Sequence, residues 1–131
     1  MSTGNKTKFS EFIDRMNEQK TNLLNFLRDA KLARKKVFGY GASTKGNVML
    51  QFCGFSPADL PAIAEINPEK FGSFTPGTHI PIVSEPDARA MAPDYFLVLP
   101  WHFKSGIVRR EKEFLQRGGK LIFPFPEIEI I

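Results

Sequence analysis

Val37-Phe-Gly-Tyr-Gly-Ala-Ser-Thr-Lys-Gly-Asn-Val-Met-Leu50 decides how this chain is read. Val37, Phe38 and Tyr40 form a short apolar, β-prone run that breaks at Gly41. A helical pattern begins a few residues later, with Val48, Met49, Leu50, Phe52 and Cys53 on its apolar side. The stretch predicts a strand, a glycine turn and a helix over about 44–53. Such a junction leaves the first N–H groups of the helix without partners and converging on one spot, where the helix dipole adds positive potential. An anion, above all a phosphate, is the natural guest. Ser43 and Thr44 can cap the helix, and Lys45 brings a full charge. The glycines run Gly39, Gly41, Gly46, whereas the dinucleotide fingerprint places its third glycine three positions after the second. A Walker-type loop does not fit either, because Lys45 precedes Gly46 and no Lys-Ser/Thr follows a glycine. The plainer alternative is that Gly39 and Gly41 only permit a tight turn.

Working outward, Gly54 ends the helix, as a C-terminal glycine commonly does. After a turn at Ser56-Pro57 the apolar run Leu60 to Ile66 predicts a second strand. Glu65 stands at its end, 24 residues after Gly41. That is where doubly wound nucleotide folds place an acid on a ribose hydroxyl; a solvated acid at a strand end is the alternative. Residues 70–82 read as an extended excursion with a Pro76-Gly77 turn, kept to an edge or over a site by Pro81. His79, in its middle, is set to contact a ligand or to satisfy backbone carbonyls. Ser84-Glu85-Pro86 opens a short helix to about Met91. Tyr95-Phe-Leu-Val-Leu99 lacks polar alternation and predicts a strand buried on both faces. It stops at Pro100-Trp101-His102-Phe103, where ligands of open α/β sheets gather. Trp101 and His102 are therefore expected to face the same crevice as the glycine loop, with Trp101 stacking on a base or sugar or plugging the core.

Residues 104–117 predict one helix, with Ile107, Val108, Phe114 and Leu115 inward and Arg109, Arg110, Glu111, Lys112 and Glu113 outward. Gly118-Gly119 ends it, Lys120–Phe123 is a strand, and 127–131 alternates at period two as a last one, bent toward an edge by Pro124 and Pro126. Residues 7–34 form one long amphipathic helix, carrying Phe9, Phe12, Ile13, Met16, Leu23, Leu24 and Leu27 at steps of three and four. It covers the sheet, docks another domain, or makes a short dimer seam. The alternation predicts an α/β fold: a Rossmann-like three-layer sandwich, a mostly parallel sheet with helices on both faces and right-handed crossovers.

Composition bounds the rest. The 131 residues suggest one domain, large enough for a core without staples. Single Cys53 forms no intramolecular disulfide, which fits a reducing compartment. The N-terminus Met1–Lys8 is polar and lacks the apolar core of a signal peptide, so a cytoplasmic protein is expected. The longest apolar run, Tyr95 to Trp101, is too short to span a bilayer. The formal charge of +4 is local: residues 1–36 hold nine Lys and Arg against four Asp and Glu, and the remainder nine against ten. Lys31, Arg34, Lys35 and Lys36 sit where a helix ends and complement its dipole. No basic stripe interleaved with aromatics suggests nucleic acid. One cysteine provides no zinc cluster, so no metal site is expected.

Four blocks occur in order: Tyr40-Gly-Ala-Ser-Thr-Lys-Gly-Asn47, Pro76-Gly-Thr-His-Ile-Pro-Ile82, Pro93-Asp-Tyr-Phe-Leu-Val-Leu-Pro-Trp101 and Gly118-Gly-Lys-Leu-Ile-Phe-Pro-Phe-Pro126. Together they resemble the C-terminal domain of S-adenosylmethionine-dependent sugar C-methyltransferases, which methylate a ring carbon of nucleotide-linked deoxysugars. The resemblance covers about residues 35–131 and can take in the first helix. It implies a Rossmann-like domain that forms one wall of a sugar-nucleotide cleft, beside a zinc-binding piece and a central methyl-transferring domain. By resemblance, Tyr40, Gly41, Lys45, Gly46, Asn47 and His79 border that cleft. Read from the residues alone, Ala42, Ser43, Glu65, Trp101 and His102 join them. His102 stands where the family usually has Asn.

The family's proton-abstracting residues lie in the central domain, so no catalytic residue is expected here. S-adenosylmethionine is expected on a separate domain or partner, since no second glycine-rich unit is present. The leading expectation is a substrate-side domain that binds a nucleotide diphosphate sugar. A small NAD(P)-dependent oxidoreductase shares the glycine turn and Glu65 but not the glycine spacing. A third reading is a non-enzymatic module whose first helix docks a methyltransferase partner or a second copy.

Overall fold

A computed structural model describes residues 7–131. The start of the polar N-terminal segment, residues 1–6, lies outside the described residues. Six strands form one sheet: β1 (Val37–Tyr40), β2 (Ile63–Glu65), β3 (Ile82–Ser84), β4 (Tyr95–Val98), β5 (Lys120–Phe123) and β6 (Glu129–Ile130). Their order is β3-β2-β1-β4-β5-β6, parallel throughout except for β6, which runs antiparallel to β5 at the edge. This is the Rossmann order, with the direction of winding reversing between β1 and β4.

Alternation along each strand divides the core into two layers. Val37, Ile63, Leu97 and Ile122 face one side, under Leu23, Leu27 and Ala30 of α1 (Lys8–Leu32) and Met49, Leu50 and Cys53 of α2 (Thr44–Cys53). Phe38, Tyr40, Ala64, Phe96, Val98, Leu121 and Phe123 face the other, under Ala88 of α3 (Glu85–Ala90), Ile107 of α4 (Lys104–Arg110) and Phe114 of α5 (Lys112–Gln116). The expected three-layer sandwich is what the chain forms. Phe96, Leu97, Val98 and Leu99 are all fully enclosed, as a strand apolar on both faces must be.

The helix starts follow their caps. Thr7 Oγ1 accepts the Ser10 N–H of α1, Ser43 Oγ the Gly46 N–H of α2, and Ser84 Oγ the Asp87 N–H of α3. Gly54 ends α2 in the left-handed conformation.

Three expectations are corrected. The helix expected over 104–117 bends at Glu111 into α4 and α5, although the Glu111 N–H still reaches the Ile107 carbonyl and the Leu115 N–H the Glu111 carbonyl. Glu111, expected outward, is 3% exposed, because its carboxylate is drawn inward by Tyr40 and Arg89. The excursion over 70–82 is more regular than expected: after a 3₁₀ turn at Pro68–Lys70 its first arm runs antiparallel to the approach to β3, with Phe74 bridged to Pro81, and β3 becomes the sheet edge.

Only the second half of α1 lies on the sheet. Phe9, Phe12 and Ile13 of its first half are 73%, 49% and 39% exposed. Among the described residues, no helix is long and apolar enough to cross a membrane.

Burial pushes the Cys53 thiol up to about 11, against the pull of nearby Lys20. A raised native pKa stabilises the fold below the ordinary thiol value and loses that contribution as pH climbs past it. Stability is therefore expected to fall between pH 9 and 11, by about 2–3 kcal/mol from this group. Denaturant midpoints across that range should decline less steeply in Cys53→Ala than in the parent chain; equal slopes would refute the assignment.

Candidate functional site

A crevice of about 300 Å³ opens at the carboxyl ends of β1, β2 and β4. This is the switch point of the sheet, where open α/β folds bind their ligands. Its floor is Tyr40, Gly41, Ala42 and Ser43 from β1 and the glycine loop. Ala64 and Glu65 of β2, with Ile66 just beyond it, form one side, and Glu85, Pro100, Phe103, Gly106, Ile107 and Arg110 complete the lining.

The loop is held from both flanks. Gly41 takes φ +78, so an L side chain there would be strained, and its N–H donates to the Ala64 carbonyl. Glu65, only 7% exposed, accepts the Ala42 N–H on Oε1 at 2.8 Å and the Ile66 and Asn67 N–H groups on Oε2, both at 2.9 Å. Lys70 Nζ donates to the Ala42 carbonyl at 3.0 Å. At the head of α2 the Gly46 N–H is spent on Ser43 Oγ and the Asn47 N–H on the Ser43 carbonyl. Among the described residues no acceptor meets the Ser43, Thr44 or Lys45 N–H groups, the open amides expected at a helix start.

Gly46 explains the unusual glycine spacing. A Cβ there would stand 2.6 Å from Leu99 Cβ and 2.9 Å from Ser43 Oγ. It thus performs the close helix-on-strand packing of the fingerprint's third glycine, one helical turn into α2. Gly46→Ala gains helix propensity worth about 1 kcal/mol. The clash with backbone-anchored Leu99 should outweigh that gain, giving a net loss of about 1–3 kcal/mol. A urea midpoint unchanged or raised would show that α2 can lift without cost.

The other expected site residues are dispersed. Lys45 is absent from the crevice lining and instead lines a separate apolar groove with Phe12, Met16, Val48, Phe52 and Phe125. Trp101 lines that same groove, 5.1 Å ring to ring from Phe125, and not the crevice. His102 is exposed, its ring 4.3 Å from that of Phe103 and tilted 43° to it, and it is Phe103 that reaches the crevice wall. The short turn Trp101–Phe103 sends successive rings in different directions, so one tripeptide cannot aim all three at one ligand. Asn47 does not line the crevice, and its Oδ1 is enclosed without a hydrogen-bond partner among the described residues. His79 stacks on Phe74 at 4.3 Å, ahead of the start of β3. It therefore sits at the amino edge of the sheet, opposite the crevice, because the excursion doubles back along β3.

Sequence reading missed a charged network behind the crevice. Tyr40 Oη donates to Glu111 Oε2 at 2.8 Å, and Arg89 Nη2 donates to both Glu111 oxygens. Arg110 grips Glu85 through Nη1 and Nη2 at 2.8 and 2.9 Å and donates from Nη1 to Tyr40 Oη at 2.7 Å. Burial and then the Glu111 carboxylate push the Tyr40 phenol far above its ordinary value, so it stays protonated. The Glu85 carboxylate, outweighing partial burial, raises Arg110. Glu111 was legible in principle: it lies four residues after Ile107 and three before Phe114, on the inward stripe.

Among the described residues, no group of three or more His, Cys, Asp or Glu is arranged to hold a metal ion. Glu65 lines the crevice and spends three of its roughly four acceptor sites on backbone amides, which makes it first a clasp for the glycine loop.

A Rossmann-ordered sheet, a glycine loop clasped by Glu65 and a crevice at its switch point define a Rossmann-like α/β domain with an open crevice where such folds take ligands. The chain belongs to the C-methyltransferase C-terminal domain family, which it matches over residues 1–126. It is 37% identical over 123 residues to the C-methyltransferase NovU of Streptomyces niveus. That match takes in 94% of this chain and 29% of NovU, so the chain spans less than a third of its relative's length.

Proposed function

We infer that this chain is the substrate-holding part of a sugar C-methyltransferase, and that its crevice takes a nucleotide diphosphate sugar. The observation that carries the reading is the crevice itself, opening at the switch point and lined by Ser43, from which the unengaged amides of Ser43, Thr44 and Lys45 lead into α2. A diphosphate supplies acceptors for those amides, and the apolar walls Pro100, Phe103 and Ile107 suit a flat ring. The methyl donor, S-adenosylmethionine, and the base that prepares the ring carbon are assigned to a separate domain or partner. The single buried Cys53 fits a cytoplasmic setting.

Calorimetry with dTDP, CDP and GDP sugars tests the reading. Binding heat and a raised melting temperature are expected for at least one of them. No heat and no stabilisation with all three would overturn it.

A second observation favours a docking role as well. The groove between the first half of α1 and α2, lined by Phe12, Ile13, Met16, Val48, Phe52, Trp101 and Phe125, has a volume of about 410 Å³. The match covers 29% of NovU, and a methyl-transferring domain beside this one is the proposed occupant. Sedimentation of this chain alone is expected to give a monomer. A dimer abolished by Ile13→Glu would assign the groove to a second copy instead.

A further inference from the structure

The geometry points to Arg110, and not Lys45, as the side-chain cation that grips the anionic part of the crevice's ligand, with Glu85 and Tyr40 as the residues that position its guanidinium. This rests on the reading of the crevice as a nucleotide-sugar site.

Three observations carry it. Lys45 was the obvious charge from its place in the loop, but it lines the apolar groove on the α1–α2 side of the sheet and is not among the residues lining the crevice. Arg110 lines the crevice itself, on the α3–α5 side. Its fork is oriented before any ligand arrives. Glu85, whose side chain is 13% exposed, takes one bond from each terminal nitrogen, and Tyr40 Oη takes a third. Of the five N–H donors of a guanidinium, three are spent on these partners, leaving Nε–H and one Nη2–H. Among the described residues nothing accepts from them. A planar cation with two unused donors at a crevice wall suits a phosphate oxygen pair better than a sugar hydroxyl.

Tyr40 keeps the arrangement in one orientation. Its hydroxyl hydrogen is committed to Glu111, so its oxygen is left to accept from Arg110. Glu111 is in turn held by Arg89. The cation at the crevice is thus placed by a chain of contacts that begins in the core, which lowers the ordering cost of binding.

The test compares dTDP with uncharged thymidine by calorimetry on the intact chain. The parent should prefer dTDP. Arg110→Ala should weaken dTDP roughly ten- to hundredfold while leaving thymidine unchanged. Arg110→Lys should recover only part of the loss, because a point charge lacks the fork, and Lys45→Ala should stay within about twofold, the size of an exposed-charge effect. In the unaltered chain, the Arg110 Nε–H resonance should move downfield on dTDP addition and stay in place with thymidine. If the parent prefers dTDP but Arg110→Ala and Arg110→Lys keep that preference and the resonance is unmoved, the assignment of Arg110 fails and the nucleotide reading survives. If the parent binds neither probe, the same comparison is made with CDP against cytidine and GDP against guanosine; a parent that binds none of the three diphosphates fails both readings together.

Discussion

Replacing Glu111 by alanine is expected to destabilise the domain by about 3–5 kcal/mol, the range for stripping one partner from a buried charge pair. For a chain of this length that is a fall in melting temperature on the order of 10 °C or more. The Glu111 side chain is 2% exposed and answers two groups at once, the Tyr40 hydroxyl and the Arg89 guanidinium. Alanine would leave a half-buried cation facing Glu85 alone and a buried phenol with no acceptor. Glu111→Gln keeps one acceptor oxygen and the volume, so it should cost less than half as much. Calorimetric melting of the two variants is the measurement. Equal and small losses would mean that water replaces the carboxylate and that the network is ornamental to the fold.

Glu65→Ala is the second large effect. Its carboxylate gathers the Ala42, Ile66 and Asn67 amides, so removal orphans three donors in a partly buried setting. Each unsatisfied group costs about 1–3 kcal/mol, moderated where solvent enters. A total loss of about 2–4 kcal/mol is expected, with nucleotide affinity falling because the loop loses its flank. The pairing of the two readouts decides between roles. An acid that only touched a ribose would leave the melting temperature unchanged and lower affinity alone. A loop clasp lowers both, and hydrogen exchange at Ala42 should accelerate.

Glu65 also shows how far local reasoning reached. Its place at the end of β2, at the spacing expected of an acid in this fold, was readable from the chain. Its partners were not, because which groups converge on a carboxylate depends on how closely β1 and β2 are drawn together. Trp101, His102 and Phe103 teach the same lesson within one tripeptide. Their location after β4 was legible, but the directions of three successive rings depend on the backbone of a single 3₁₀ turn. His79 was drawn toward the crevice by resemblance, yet the excursion's return along β3 carries it to the opposite edge.

What the sequence determined by itself was most of the elements and the apolar side of each. Period-two alternation, the apolar run at Tyr95–Leu99, the Ser43 and Ser84 caps and the stops at Gly41 and Gly54 are local signals, written within a few residues of what they control. They suffice for a Rossmann-like sandwich and for a crevice at its switch point. Only the tertiary structure decided which side chains share that crevice. Tyr40 meets Glu111 across 71 positions and Arg110 across 70, and Ala42 meets Glu65 across 23. Contacts over such separations are set by how α4 and α5 dock on the sheet and by how closely β1 and β2 are drawn together, and local signals along the chain name no partner for Glu111 or Glu65.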